Sequence, residues 1–183
     1  MSVILVIRAP ELFTMPSETI LPFLTAIFLL TCFIPALSIY SLRFLSSISD
    51  LEITDRKERP LPFSIITIWY AASSYLFIVK LALGRPFSTI LLSVTLLIAL
   101  LFLITYRFKI SIHATAIWSA VGILASLIMV RDVLAMDILY LSFILAGLTC
   151  TSRLYLGYHL PKEVWSGSLL GFIFGFYAVY FFG

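Results

Sequence analysis

Charged residues are scarce in this sequence. Of its 183 residues, only 11% are Asp, Glu, Lys or Arg, whereas 62% are hydrophobic. A soluble domain is typically about half apolar and about a quarter charged. The apolar residues form continuous runs of about 18–24 residues without a period of two, which favours helices over a barrel. The sequence therefore predicts an all-α polytopic membrane protein, a six-transmembrane-helix bundle that forms a single integral-membrane domain over residues 1–183.

Cysteine is also rare. Cys32 and Cys150 lie far apart in separate hydrophobic runs, and the sequence contains no Cys-x-x-Cys pattern. We therefore expect two unpaired buried thiols and no metal site built on sulfur. The net charge of +3 comes from residues at the membrane boundaries and does not indicate nucleic acid as a partner. The sequence predicts neither a metal nor a cofactor.

The hydrophobic runs predict six spans, and Pro35 is expected to kink the first of them. Residues 1–18 are interpreted as an interfacial stub, with a partial span as the alternative. The fifth span is short unless it includes part of the region around Arg153. The predicted spans are Ile20–Tyr40, Pro62–Leu83, Phe87–Tyr106, Ile110–Val130, Ile138–Cys150 and Pro161–Phe182.

Successive spans alternate in direction, so every second loop lies on the same side of the membrane. One side therefore collects the loops 43–62, 107–113 and 151–163. The chain contains only two histidines, and this topology places both on that side. The side is predicted to hold Arg56, Lys57, Arg59, His113, Arg153, His159 and Glu163.

A histidine, a carboxylate and several arginines are the residue types that phosphate-ester chemistry requires. Arginine binds phosphate oxygens with its planar fork, and cations stabilise the charge that spreads over these oxygens during transfer. His159 and His113 can serve as the nucleophile and the proton donor. Glu163 follows His159 by four residues, so on a helix it would lie on the same face and orient the imidazole.

The segment from Ser152 to Gly167 carries a specific resemblance. Ser152-Arg153, five residues, His159, three residues and an acid resemble the third signature of the type 2 phosphatidic acid phosphatase superfamily. The second signature, Pro-Ser-Gly-His, retains only Ser111 and His113. The first, Lys, six residues and Arg-Pro, retains Arg59-Pro60, with Glu52 in place of the lysine.

The resemblance implies a role for each matching residue. His159 would form the phosphohistidine, Glu163 would orient it and His113 would protonate the leaving alcohol. Arg59 and Arg153 would hold the phosphate, with backbone help from Ser111. Arg56 or Lys57 would supply the positive charge that Glu52 lacks. The changes at Glu52, Ile110 and Ile112 indicate a divergent subgroup or reduced activity.

These residues predict a membrane-embedded lipid phosphate phosphatase that needs no metal. Its partners would be membrane lipids and a lipid phosphate substrate, such as phosphatidic acid, phosphatidylglycerol phosphate or an isoprenyl diphosphate. One alternative is a catalytically silent relative that binds anionic lipid headgroups, and another is a small membrane transporter. Charges deep in the spans, which a transporter would need, are almost absent.

The orientation in the membrane is not fixed by charge. Lys and Arg are more numerous on the side that carries the motifs, but the candidate phosphate ligands account for the difference. Similar lipid phosphatases often face outward. The resemblance thus favours a bacterial inner (plasma) membrane with the site on the extracytoplasmic side.

Glycines recur every four residues in the last span. Gly167, Gly171 and Gly175 therefore lie along one helix face, where small side chains allow close helix contact. Packing inside the bundle is the interpretation we favour, and a homodimer through this face is the alternative.

Overall fold

The computed structural model describes residues 17–50, 53, 55–81, 84–131 and 136–182, except the side chains of Ser17, Arg56 and Arg131. This part of the chain is helical. The helices are α1 (Ser17–Phe28), α2 (Ile34–Phe44), α3 (Pro60–Tyr75), α4 (Arg85–Thr105), α5 (Ile112–Arg131), α6 (Met136–Tyr155) and α7 (Pro161–Phe182). π-helical turns join α1 to α2 (Leu29–Phe33) and extend α3 (Leu76–Lys80), and a 3₁₀ turn (Arg56–Glu58) precedes α3.

Six helical segments of the described chain are long and apolar enough to cross a membrane, which confirms the predicted all-α six-helix membrane bundle. They are Glu18–Phe44, Pro60–Lys80, Arg85–Thr105, Ile112–Val130, Met136–Tyr155 and Pro161–Phe182. Of the predicted interfacial stub, residues 1–16 lie outside the described part, and residues 17 and 18 begin α1. The fifth span reaches Tyr155 and so includes Arg153, as the longer of its two predicted forms does.

The irregularity expected at Pro35 takes the form of a π-helical turn that ends just before α2. Proline has no N–H and cannot donate to the carbonyl oxygen of Thr31, four residues earlier. The hydroxyl of Tyr70, in α3, donates to this oxygen at 2.9 Å. The contact satisfies a carbonyl inside the span and ties the first span to the second.

The glycine face of α7 packs against α5. A Cβ added at Gly167 would lie 2.7 Å from the carbonyl oxygen of Ser111, and one added at Gly171 would collide with the backbone of Thr115. Backbones this close leave no room for a side chain. The face is therefore filled within one chain, as the internal-packing interpretation predicts. A homodimer through it would have to displace α5.

A hydrophobic cluster holds the helix ends beneath the site. Phe63 of α3, Leu97 and Leu101 of α4, and Ile110 just before α5 are buried together. Phe174 of α7 is partly buried against them. Since these side chains join the beginnings of α3 and α5 to α4 and α7, they fix the positions from which the loops project.

Candidate functional site

Three loops that are distant in sequence meet at one end of the bundle. Arg59 Nη1 donates to the carbonyl oxygen of Ile110 at 3.1 Å. Lys109 Nζ donates to the carbonyl oxygen of Tyr158 at 3.1 Å. The backbone N–H of Ser111 donates to the carbonyl oxygen of Glu163 at 3.1 Å. These bonds bring the three loops together at one end of the bundle, as the alternation of the spans predicts.

His159 and Glu163 form a direct pair at this end. Glu163 Oε2 lies 2.8 Å from His159 Nδ1, and the two side chains are 9% and 6% exposed. The same oxygen accepts the N–H of Leu160 at 3.3 Å, as the acid of a capping box does at the start of a helix. The first turn of α7 therefore fixes Glu163, and Glu163 fixes the imidazole. The contact predicted from the four-residue spacing is present.

The turn into this pair depends on Gly157. α6 ends at Tyr155, and Gly157 follows with a φ of 71°, a left-handed conformation that costs other residues about 1–2 kcal/mol. The N–H groups of Leu156 and Gly157 return to the carbonyl oxygens of Ser152 and Leu154. This reversal brings His159 back to the start of α7.

Glu163, burial and two nearby cations set the protonation state of His159. With Glu163 ionised, Nδ1 carries the proton it donates, so Nε2 has a lone pair free for chemistry. Burial lowers the pKa of His159 below its ordinary value, and the charges of Arg59 and Lys109 lower it further. The hydrogen bond and the charge of Glu163 act in the opposite direction. The imidazole is therefore neutral near pH 7.

Arg59 is a deeply buried cation of the site, at 2% exposure. Besides its bond to Ile110, its Nε donates to the carbonyl oxygen of Ile53 at 3.0 Å. Ile53 has a φ of 50°, which is rare for a β-branched residue, and Arg59 holds this turn in place. Burial lowers the pKa of Arg59, while the negative charges of Glu163 and Asp50 raise it. The guanidinium thus organises the loops beside the His159–Glu163 pair.

The other predicted phosphate ligands have different surroundings. Arg153 packs over the ring of Tyr158, 5.7 Å from its centroid, one residue before His159. Lys57 is exposed, and its backbone N–H donates to Asp55 Oδ1 at 2.9 Å. The side chain of Arg56 and the whole of Glu52 lie outside the described residues. Whether Arg56 or Lys57 replaces the missing lysine therefore stays a prediction.

Ser111 and His113 lie on opposite sides of α5. Ser111 is fully buried, and the structure gives its N–H a partner in Glu163, on the side that packs against α7. His113 is two residues from both Ser111 and Thr115, about 200° around the helix. It is exposed and lines a cleft of about 510 Å³ between α2, α3, α4 and α5. The two histidines share one end of the bundle but different sides of α5.

This cleft is lined mostly by apolar side chains. Ile53, Phe63 and His113 line it near the loops, and Tyr70 lines it about 10 Å beyond Phe63 along α3. Its volume lies within the usual range for ligand pockets. A cleft that starts at a histidine and continues between hydrophobic spans is suited to an amphiphilic ligand.

Sequence reasoning missed two residues of the site. Lys109 belongs to none of the three signatures, although it lies two residues before Ser111. Ile53 carries no motif, and its left-handed backbone is visible only in the tertiary structure. Together the observations define a class: a six-helix integral-membrane protein with a buried histidine–glutamate pair beside cations at one end. No family model, curated protein or solved structure matches this chain.

Proposed function

We propose that this protein is a membrane-embedded phosphatase that removes phosphate from a lipid phosphate monoester or diphosphate through a phosphohistidine. One observation carries the proposal: the 2.8 Å bond between Glu163 and His159 Nδ1, in a pair adjoined by Arg59 and Lys109. An oriented, neutral imidazole beside cations is what attack on a phosphate ester needs. The resemblance of residues 152–167 to the lipid phosphatase signature supports the same chemistry.

In the proposed reaction His159 Nε2 attacks phosphorus, and the bond from phosphorus to the lipid oxygen breaks. His113 gives its proton to the departing oxygen and becomes neutral. A water molecule then attacks the phosphohistidine, passing a proton to His113 as the phosphorus–nitrogen bond breaks. Inorganic phosphate leaves, and His159 returns to its starting state. No metal or cofactor takes part. Because His113 and the His159–Glu163 pair lie on different sides of α5, the phosphate would have to lie across the end of this helix.

The cations have two proposed tasks. Arg153 and Lys109 flank Tyr158, next to the nucleophile, and would bind the phosphate oxygens. Arg59 would stabilise transition-state charge from behind the pair while holding the loops. Arg56 and Lys57, in the 3₁₀ turn, would be further ligands of the phosphate. Ser111 would offer its amide to phosphate only by exchanging its bond to Glu163.

The apolar cleft beside His113 supports a lipid as the substrate. Its lining of Phe63, Leu97 and Leu101 suits a hydrocarbon chain, with the phosphate directed toward the loops. Phosphatidic acid, phosphatidylglycerol phosphate and an isoprenyl diphosphate are the candidates. We place the site on the extracytoplasmic side of a bacterial inner membrane. Labelling of a Lys57→Cys variant by an impermeant maleimide in intact cells tests this orientation, and no labelling would oppose it.

A second candidate, a silent relative that binds lipid headgroups, is favoured by one observation. Two N–H groups of Arg59 already donate hydrogen bonds to the carbonyl oxygens of Ile53 and Ile110, and the guanidinium is almost fully buried. A guanidinium bonded in this way can hold the loops together without taking part in catalysis. In such a protein, lipid phosphates would bind without being hydrolysed.

The decisive experiment is phosphate release by purified protein from a panel of lipid phosphates, with a metal chelator present. Wild type should release phosphate, and His159→Ala should release none while retaining its thermal unfolding transition. Activity of His159→Ala equal to that of wild type would disprove the histidine mechanism. Binding without release by folded wild-type protein would instead support the silent relative.

A further inference from the structure

A second, cationic groove lies on the outer side of the same end of the bundle, between the loop after α4 and the beginning of α7. Its volume is about 790 Å³. Three cations line it, together with one carboxylate, one hydroxyl and an apolar wall. The lining residues are Ile104, Arg107, Phe108, Lys109, Ile110, Lys162, Glu163, Ser166 and Leu170. Neither histidine lines it, so it is separate from the cleft at His113.

The groove is polar at one end and apolar at the other. Lys162, Ser166 and Leu170 follow one another at four-residue spacing, so they form a stripe along one face of α7 about 12 Å long. The stripe runs from a cation through a hydroxyl to a leucine that lies inside the span. On the opposite wall, Arg107 follows the end of α4, and Ile104 belongs to its last turn. This succession of charged, polar and apolar groups matches a phospholipid, whose phosphate lies at the interface and whose chains enter the membrane.

The charge of the groove favours an anion. Arg107, Lys109 and Lys162 contribute three positive charges. Among the described residues that line the groove, Glu163 is the only acid, and it already accepts hydrogen bonds from His159 and Leu160. Lys109 also bonds the carbonyl oxygen of Tyr158, which fixes its ammonium group at the edge of the groove. Arginine and lysine at the membrane interface attract anionic headgroups.

We propose that this groove binds an anionic phospholipid of the surrounding membrane, with its phosphodiester between Arg107, Lys162 and Ser166 and one acyl chain along Ile104 and Leu170. The apolar half of the groove favours a lipid over a free phosphate ion, because an ion has no hydrocarbon to pack against Ile104 and Leu170. The proposal goes beyond the phosphatase activity, because the bound lipid is not a substrate.

The test uses fluorescently labelled phosphatidylglycerol, a phosphodiester with no terminal phosphate to release, so its binding is independent of turnover. Full-length protein in phosphatidylcholine nanodiscs should bind it about tenfold more tightly than labelled phosphatidylcholine. Arg107→Gln combined with Lys162→Gln should remove this preference. The matched control, Lys80→Gln combined with Arg85→Gln, loses the same charge at the opposite end and should retain it. His159→Ala should also retain it, which separates this site from the proposed catalysis.

Three outcomes would overturn the proposal. The first is equal binding of the two lipids by wild type, and the second is an unchanged preference in the groove variant. The third is full displacement of phosphatidylglycerol by millimolar inorganic phosphate, which would make the groove a site for free anions. Should the double variant not fold, Lys162→Gln alone, at an exposed position, must weaken phosphatidylglycerol binding severalfold for the proposal to stand.

Discussion

Arg59 and Ile110, 51 residues apart in sequence, are joined by a 3.1 Å hydrogen bond from a buried guanidinium to a backbone carbonyl oxygen. The bond fixes the beginning of α3 to the residue that leads into α5. Through Ser111, which follows Ile110 and bonds Glu163, it also reaches α7. One side chain thereby secures the loops that carry the His159–Glu163 pair.

Arg59→Lys should destabilise the protein, because one ammonium group cannot reach the carbonyl oxygens of Ile53 and Ile110 as the guanidinium does. Losing one charge-assisted bond at a buried site should cost about 2–3 kcal/mol of unfolding free energy. Thermal unfolding in detergent measures the effect. Lys57→Gln, at an exposed position, is the control and should change stability by less than about 0.5 kcal/mol. If Arg59→Lys were as stable as wild type, the hydrogen bonds of Arg59 to these two carbonyl oxygens would not contribute to stability.

The pH dependence of activity should follow His159, which must be neutral to attack. Since burial and nearby cations lower its pKa below 6.5, the acid limb of kcat/KM should rise with pH through a value below 6.5. Glu163→Gln removes the interactions that raise this pKa, so its acid limb should move to lower pH while the rate falls about 100-fold or more. Lys109→Gln removes a charge that lowers the pKa, so its limb should move to higher pH.

The opposite directions of these two shifts make the assignment testable. Lys162→Gln, one residue before Glu163, is the control and should leave the acid limb in place. A shift of both variants in the same direction would assign the limb to a group other than His159.

His113→Ala should slow hydrolysis according to the leaving group. An alkyl phosphate needs a proton on its departing oxygen, so its rate should fall by about 100-fold or more. An aryl phosphate with a stable phenolate leaving group should lose much less. Single-turnover rates for the two ester types give the comparison. Equal slowing of both would contradict a general-acid role.

Ala116→Trp should alter the preference for chain length. Ala116 lines the apolar cleft one helical turn after His113, and an indole there would fill the space proposed for the lipid chain. The kcat/KM for long-chain lipid phosphates should fall about tenfold or more, while short-chain analogues should be affected little. Leu148→Trp, at an exposed position of α6, is the control. Equal loss for short and long chains would place the substrate elsewhere.

Gly171→Ala should disrupt the contact between α5 and α7. The added Cβ would collide with the backbone carbonyl group of Thr115, which cannot move without shifting a helix. Such overpacking should cost about 1–3 kcal/mol. Gly147→Ala makes the same change in α6, where a Cβ meets no atom within 4 Å, and should not destabilise the protein. Comparable unfolding temperatures for the two variants would refute the close packing.

Much of the fold could be predicted because the membrane imposes simple rules. Runs of apolar residues long enough to cross it gave six spans, and alternation of the spans grouped the three loops. The four-residue spacing of His159 and Glu163 predicted their contact, although His159 lies two residues before α7 and not within it. Each of these inferences uses length, polarity or local periodicity, which the sequence contains directly.

The rotation of each helix could not be predicted in this way. His113 was assigned to the same side of the membrane as His159, but the face of α5 on which it lies follows from the packing of Ser111 and Thr115 against the glycines of α7. Likewise, the burial of Arg59 and the left-handed turn at Ile53 depend on contacts between distant segments. The spans, their order and the local histidine–glutamate pair thus follow from the order of the amino acids. Which groups face the pair, the cleft and the cationic groove depends on the packed bundle, because helix-to-helix packing sets the direction of the side chains.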